Sequence, residues 1–418
     1  MDFFRFLMSD VLSEPAVLVG LIALIGLIAQ KKPVTECIKG TVKTIMGFVI
    51  LGAGAGLVVS SLGDFANIFQ HAFGIQGVVP NNEAIVSVAQ KSFGKEMAMI
   101  MFFAMVINIM IARFTPWKFI FLTGHHTLFM SMMVAVILAT AGMTGITLIA
   151  VGSLVVGVAM VFFPAIAHPY MKKVTGSDDV AIGHFSTLSY VLAGFIGSKF
   201  GNKEHSAEDM NVPKSLLFLR DTPVAISFTM SIIFLVTCLF AGADVVKELS
   251  GGKNWFMFSI MQSITFAAGV YIILQGVRMV IAEIVPAFKG ISDKLVPNAR
   301  PALDCPVVFP YAPNAVLVGF LSSFAAGLIG MFTLYLLNMI VIIPGVVPHF
   351  FVGAAAGVFG NATGGRRGAI LGAFAQGLLI TFLPVFLLPV LGDIGFANTT
   401  FSDADFGALG ILLGIIVR

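Results

Sequence analysis

Long apolar stretches alternate with short clusters of charge, glycine and proline along the whole chain. An α-helix needs about 20 predominantly apolar residues to cross a bilayer, and stretches of that order recur at 16–29, 44–63, 222–243, 255–276, 315–343 and 368–391. Residues 119–171 carry no Lys, Arg, Asp or Glu, a length that predicts two spans broken near Ala141-Gly142 or Gly145. Shorter elements are expected at 97–112, 180–198, 350–359 and 408–417. The pattern therefore predicts an all-α polytopic membrane protein with about 10–12 membrane elements, several of them shorter than a full crossing. None of these runs alternates residue by residue, as the strands of a barrel do.

Two stretches break the pattern. Residues 289–316 carry Pro297, Pro301, Pro306, Pro310 and Pro313 around the Asp304-Cys305 pair, a density that excludes regular helix because proline removes a donor and clashes with the preceding turn. The charge-free run from Cys305 to Gly365 follows directly. Irregular backbone at membrane depth survives only where protein buries it or water lines it. Residues 64–95, with GVVPNNEA at their centre, are too polar to span and read as a re-entrant hairpin or loop. The two breaks share cues in order. Val79-Pro80-Asn81 resembles Val296-Pro297-Asn298, each followed by an acid (Glu83, Asp304), and later by a histidine after glycine or proline (His125, His349). This predicts an inverted repeat, about 33–200 and 256–418 with 201–255 linking them, and paired interrupted helices point to a transporter's binding site.

Composition narrows the class. Only 11% of the residues are charged and 58% are hydrophobic, whereas a soluble domain carries about 25% charged residues. A net charge of +3 spread along the chain excludes a nucleic-acid footprint. Cys37, Cys238 and Cys305 have no metal-like spacing and are odd in number, so neither a disulfide framework, a resident metal nor a cofactor is expected. The opening residues lack a basic start and a small-residue cleavage site, so the first span is expected to act as its own insertion signal. Lys31, Lys32, Lys39 and Lys43 after that span place the first loop in the cytoplasm.

Ionisable residues inside apolar sequence mark candidate sites. Asp304 can accept hydrogen bonds from substrate hydroxyls or act as a base; the plainer alternatives are a cap or a partner for Arg278 or Arg300. His125 and His184 offer one donor and one acceptor each when neutral. His126, adjacent to His125, must face elsewhere and reads as a packing residue. Asn82 and Glu83 fit either a solvated loop or a site. Arg278 and Glu283, five apart, read as structural partners, and Cys305 as a buried structural thiol. Gly364-Gly365-Arg366-Arg367 reads as a turn, since it lacks the spacing and lysine of a phosphate loop.

Taken together, KGTVKTIMGFVILGAGAG, LTGHH, IGH, QGVRMVIAEIVPAFKGISDKLVPNARPALDCP, YAPNAV and GVFGNATGGRR resemble the ascorbate-type enzyme IIC of the bacterial phosphotransferase system, across nearly the whole chain. The resemblance implies a single membrane domain over 1–418. It further implies a homodimeric inner-membrane permease with a substrate-holding core and a V-shaped dimerisation domain, moving like an elevator. Substrate would be L-ascorbate or a related sugar or polyol, phosphorylated by a separate IIB protein that is charged by IIA. IIC would position the acceptor hydroxyl, and the loop 199–220 would offer a docking surface. Carried over position by position, the substrate residues are Gly54, Ala55, Asn82, Glu83, His125, His184 and Asp304. The chain departs from better-known members at Ala55 (serine there), Glu83 (tyrosine), and Phe129 and Phe185 (glutamines). The rival class is an ion-coupled secondary transporter with Asp304 and Glu83 carrying protons.

Overall fold

The computed structural model describes residues 15–74, 77–210, 218, 221–392 and 398–417. Helix α1 (Pro15–Ala29) leads into α2 (Val34–Phe73), which passes straight through the apolar 44–63 stretch and ends at Gly74 in the left-handed conformation. The 64–95 stretch, expected as a re-entrant hairpin or a loop, is not an irregular loop. Instead α2 continues to Phe73, strand β1 (Gly77–Pro80) follows, and α3 (Asn82–Phe114) begins at once, capped by the Asn81 side chain, which accepts from the Ala84 amide at 2.7 Å. Capping satisfies one of the amides that every helix start leaves without a partner.

Strand β2 (Phe119–Phe121), α4 (Gly124–Thr140) and α5 (Gly145–Thr175) fill the long charge-free run, with the break at Ala141–Thr144 where the sequence placed it. Strand β3 (Ala181–Ile182) precedes α6 (Thr187–Phe200), and a short 3-10 turn (Ala207–Asp209) follows. Helices α7 (Thr222–Ala241) and α8 (Ala243–Leu249) come next, with a bend of 109° between them. Helix α9 (Trp255–Leu295) runs through Pro286, so regular structure extends into the stretch that the prolines were expected to keep irregular. Only beyond it do β4 (Arg300–Leu303) and a 3-10 turn (Cys305–Tyr311) appear. Helix α10 (Pro313–Leu336), β5 (Val341–Ile342), α11 (Val346–Leu387), β6 (Thr399–Thr400) and α12 (Ala404–Val417) complete the order.

Six of these helices are long and apolar enough to cross a membrane, seven with the bent α7–α8 pair, and three shorter apolar helices accompany them. The chain is an all-α polytopic membrane protein. Helix α11 is two helices in one line of sequence: Gly364 and Gly365 leave helical geometry between them, Gly365 at φ 60°. A Cβ on Gly365 would run into the carbonyl oxygens of Asn202 and His205. The turn therefore requires glycine both for its backbone angle and for lack of room.

The short strands form two three-stranded parallel sheets, ordered β5-β1-β6 and β2-β4-β3. Exchanging β1 with β4, β2 with β5 and β3 with β6 turns one sheet into the other. In both, the middle strand comes from one half of the chain and its flanking strands from the other half. The exchange satisfies backbone that lipid could not: the Val79 and Asn81 amides donate to Asn398 and Thr400, and the Leu122 and Gly183 amides donate to Ala302 and Leu303. The donor-less Pro80 falls where its amide would point past the end of β5, and Pro301 where it would point ahead of the start of β3.

Val79 and Pro80 pair with Thr399 and Thr400, and Ala302 and Leu303 pair with Ala181 and Ile182.

Helices α1, α2, α7 and α9 pack chiefly on one another, while α3–α6 and α10–α12 gather around the two sheets. The largest apolar core links the two groups through residues such as Phe65, Phe129, Phe185, Phe234 and Phe406.

Candidate functional site

Each strand ends where a helix begins, and the candidate residues sit at those junctions. Asn82 and Glu83 follow β1, His125 follows β2, His184 follows β3, Asp304 follows β4, and Ser402 and Asp403 follow β6. All line one cavity of about 540 Å³, within the few-hundred-Å³ range typical of small-molecule sites. Five of the seven sequence-predicted residues are thus brought together: Asn82, Glu83, His125, His184 and Asp304.

Asp304 is the hub. One carboxylate oxygen accepts from the Cys305 amide at 2.7 Å and caps the 3-10 turn. The same oxygen lies 3.8 Å from His184 Nε2, and the other lies 3.5 Å from His125 Nε2. Both histidine separations exceed the roughly 2.7–2.9 Å of a charge-assisted hydrogen bond, so the imidazoles face the carboxylate across a gap. The Asp304 side chain remains 37% exposed and that of His125 22%, so both are reachable by solute. The His184 side chain, at 4%, is held from behind: Nδ1 lies 2.9 Å from the Tyr190 hydroxyl, and its ring packs 3.8 Å from that of His126. His126 takes the packing role expected of it, its Nδ1 accepting from the Phe185 amide at 3.2 Å.

Asn82 lines the cavity with its side-chain amide already engaged. Its amide nitrogen donates to Asp403 Oδ2, and its carbonyl oxygen accepts from the Ser402 amide at 2.9 Å. The Ser402 and Ser186 hydroxyls also donate to Asp403, at 2.9 and 2.7 Å. The Asn82 amide is thus engaged in a polar knot that ties α3 to the β6–α12 junction. Glu83, beside it and 6% exposed, lines the cavity with its Oε atoms outside that knot.

Gly54 does not line the cavity. It lies where α2 crosses α9, and a Cβ there would come within 2.8 Å of the Ile273 amide and 2.9 Å of the Gly269 carbonyl oxygen. The side chain of Ala55 lies outside the described residues. Of the departures from better-known members, Phe129 lines the cavity. Phe185 does not; it is fully buried, stacked on Phe121 at 4.6 Å and packed edge-on to Phe163 and Phe406.

Several lining residues were missed or given other roles by sequence reasoning. Asp403 and Ser402 lie in a short polar patch, FSDAD, that carries no motif singled out in the sequence; its equivalence to the His184 junction appears only through strand pairing. Thr123 caps nothing, and its buried hydroxyl has no hydrogen-bond partner among the described residues. Arg278 lines the cavity one turn from Leu274 and forms no ion pair with Glu283 among the described residues, contrary to the expected structural pairing.

Outside the cavity, Asp178 binds His168 Nε2 at 2.6 Å, Lys172 Nζ at 3.2 Å and Arg300 at 2.7 Å, which anchors β4 four residues ahead of Asp304. Hydrogen bonds from His168 and Lys172, then Arg300, hold the Asp178 carboxyl below the usual carboxylate range.

The arrangement can bind a small polar solute: acceptors and donors converge from five strand–helix junctions, with the Arg278 cation beside them. Comparison with known proteins agrees. Residues 10–405 match a family model described as the PTS system sugar-specific permease component, EIIC-GAT. A curated relative, the "Ascorbate-specific PTS system EIIC component" of Mycoplasma pneumoniae, is 28% identical over 459 residues, an alignment covering 96% of this chain and 67% of that protein. A family match across almost the whole chain, on a polytopic helical membrane protein, settles its membership: the chain belongs to the sugar-specific permease components, EIIC, of the phosphotransferase system.

Proposed function

We propose that this permease takes up L-ascorbate, or a closely related sugar acid or polyol, and presents it for phosphorylation by a separate IIB protein that is charged in turn by IIA. The observation that carries the reading is the convergence of His125, His184 and Asp304 on one face of the cavity, at separations that leave room for a bridging hydroxyl. A site built for hydroxyls rejects analogues lacking them by up to about 10⁴–10⁵, because its polar groups are then left unpaired. Thr123 adds an uncommitted hydroxyl. Arg278 gives an anionic solute a counter-charge, which offsets the unfavourable Glu83 carboxylate. The ascorbate specificity named for the Mycoplasma pneumoniae relative supports the substrate class.

In this reading the protein performs no covalent step. It positions an acceptor hydroxyl for the donor on IIB, and positioning supplies much of the catalysis in phosphoryl transfer. His184 and Asp304 would orient the hydroxyl and accept its proton. The α3–α6 and α10–α12 assembly would be the moving core of an elevator, and α1, α2, α7 and α9 the V-shaped domain of a homodimer, each repeat contributing half the site. The test is uptake of labelled ascorbate into proteoliposomes holding the purified protein, with IIA, IIB and a phosphoryl source inside. Phosphorylated product accumulating only when IIB is present supports the proposal. Unphosphorylated uptake driven by a proton gradient would replace it with an ion-coupled transporter, a reading favoured by the buried carboxylates of Glu83 and Asp403 in the cavity wall.

A further inference from the structure

The wall that holds Asp304 has a second chemical character. A ring nitrogen of His184, an Asp304 carboxylate oxygen and Cys305 Sγ lie within 4.8 Å of one another; so do ligand atoms of His125, His126 and Asp304. We propose that His184, Asp304 and Cys305 form a binding site for a borderline-soft divalent ion of the zinc class, with His125 beside it and one coordination position open to the cavity.

Geometry argues for this first. A tetrahedral ion with metal–ligand bonds of about 2.1 Å sets its ligand atoms about 3.4 Å apart, the bond length multiplied by the tetrahedral edge ratio. The His184–Asp304 separation, 3.8 Å, is too long for a strong hydrogen bond and close to that edge.

The surroundings argue for it too. His184 is oriented through its other nitrogen by Tyr190 and backed by the His126 ring, and Asp304 is oriented by the Cys305 amide. Metal-binding side chains need such outer partners to fix tautomer and direction. Cys305 is buried against this wall at 1% exposure, with no disulfide. A mixed N, O and S set selects Zn²⁺ or Co²⁺ over Mg²⁺ and Ca²⁺, which require oxygen ligands. Binding replaces the thiol proton of Cys305: the S–H bond breaks, an S–metal bond forms, and a proton leaves to solvent. The ion would occupy the space a bridging sugar hydroxyl needs, so it would act as a competitive blocker of the permease.

The metal can be tested with no sugar present. Co²⁺ is titrated into the purified full-length protein in detergent while the visible and near-ultraviolet spectra are followed. We expect intense tetrahedral bands together with a thiolate-to-cobalt charge-transfer band, displacement by Zn²⁺, no displacement by Mg²⁺, and proton release. Cys305→Ser should abolish the charge-transfer band and the proton release. His184→Ala and Asp304→Asn should each weaken binding by at least about tenfold, the loss expected for a ligand or its orienting partner. Each variant is checked for an unchanged gel-filtration profile and helical spectrum. Weak octahedral bands only, or thiolate bands that persist in Cys305→Ser, would overturn the site. Competition by ascorbate is a separate arm: Co²⁺ binding without competition retains the metal site and counts against the substrate placement.

Discussion

Asp304 uses its two carboxylate oxygens differently. One caps the turn that follows β4, and the other looks into the cavity toward His125. Asparagine keeps a capping oxygen but loses the charge, so Asp304→Asn should fold normally and bind substrate ~10–100-fold more weakly, the value of a hydrogen bond to a charged group; isothermal titration with ascorbate measures this. His184→Ala should cost a similar factor, and normal uptake by both variants would remove them from the site. At Glu83 the expected change is in selectivity. Removing the carboxylate in Glu83→Gln should strengthen binding of an anionic substrate and leave a neutral polyol unaffected, while Arg278→Gln should do the opposite. A competition series of charged and uncharged sugars reads both. Asp403 belongs to no motif that the sequence singled out. Its hold on Asn82 arises from residues 321 positions apart, a separation that no local pattern encodes.

Among the elements, Gly54 lies in a small-residue face of α2, GAGAG. The small-residue face GAGAG marks close helix approach or room for a ligand, and here the α2–α9 crossing uses it for approach. Gly54→Val should lower thermal stability by roughly 1–3 kcal/mol, the usual cost of overpacking, with substrate affinity unchanged in whatever folded fraction remains. A loss of affinity at full stability would instead place Gly54 in the site during another step of transport. The β3–β4 region carries a second prediction. Asp178 is held below the usual carboxylate range by His168, Lys172 and Arg300. A depressed folded-state value means its contribution is present above about pH 4, the unfolded carboxylate value, and is lost as pH falls through the folded value. Melting temperature against pH should therefore fall less steeply below about pH 4 in Asp178→Asn than in the parent protein. Helix existence at this scale was readable from hydropathy; the strands were not, because two to four residues carry too little periodicity to announce themselves.

For the whole molecule, the exchange of strands between the two sheets means that neither half of the chain can complete its site alone. Each sheet needs a middle strand from the other half, and each half brings its own junction residues to the common cavity. Separately expressed halves should therefore each fail to bind substrate and regain binding when co-expressed, a result that affinity purification of the complex followed by a binding assay would show. The homodimer proposed above should appear as twice the chain's mass by light scattering in detergent.

Residue order alone was enough for the membrane class, the approximate helices, the break in the charge-free run and, through its motifs, the permease family. These rest on hydropathy, charge and local backbone chemistry, which act over a few neighbouring residues. It also singled out five residues that share the cavity. Only the packed structure shows that 64–95 is helix, strand and helix rather than an irregular loop. It likewise decided that Asn82 is tied to Asp403, that Phe185 lies in an aromatic core, and that Gly54 serves a helix crossing. Each of these depends on which distant strand or helix supplies the missing hydrogen bond or packing partner. That choice is made when buried backbone must find donors and acceptors inside the protein because lipid offers none.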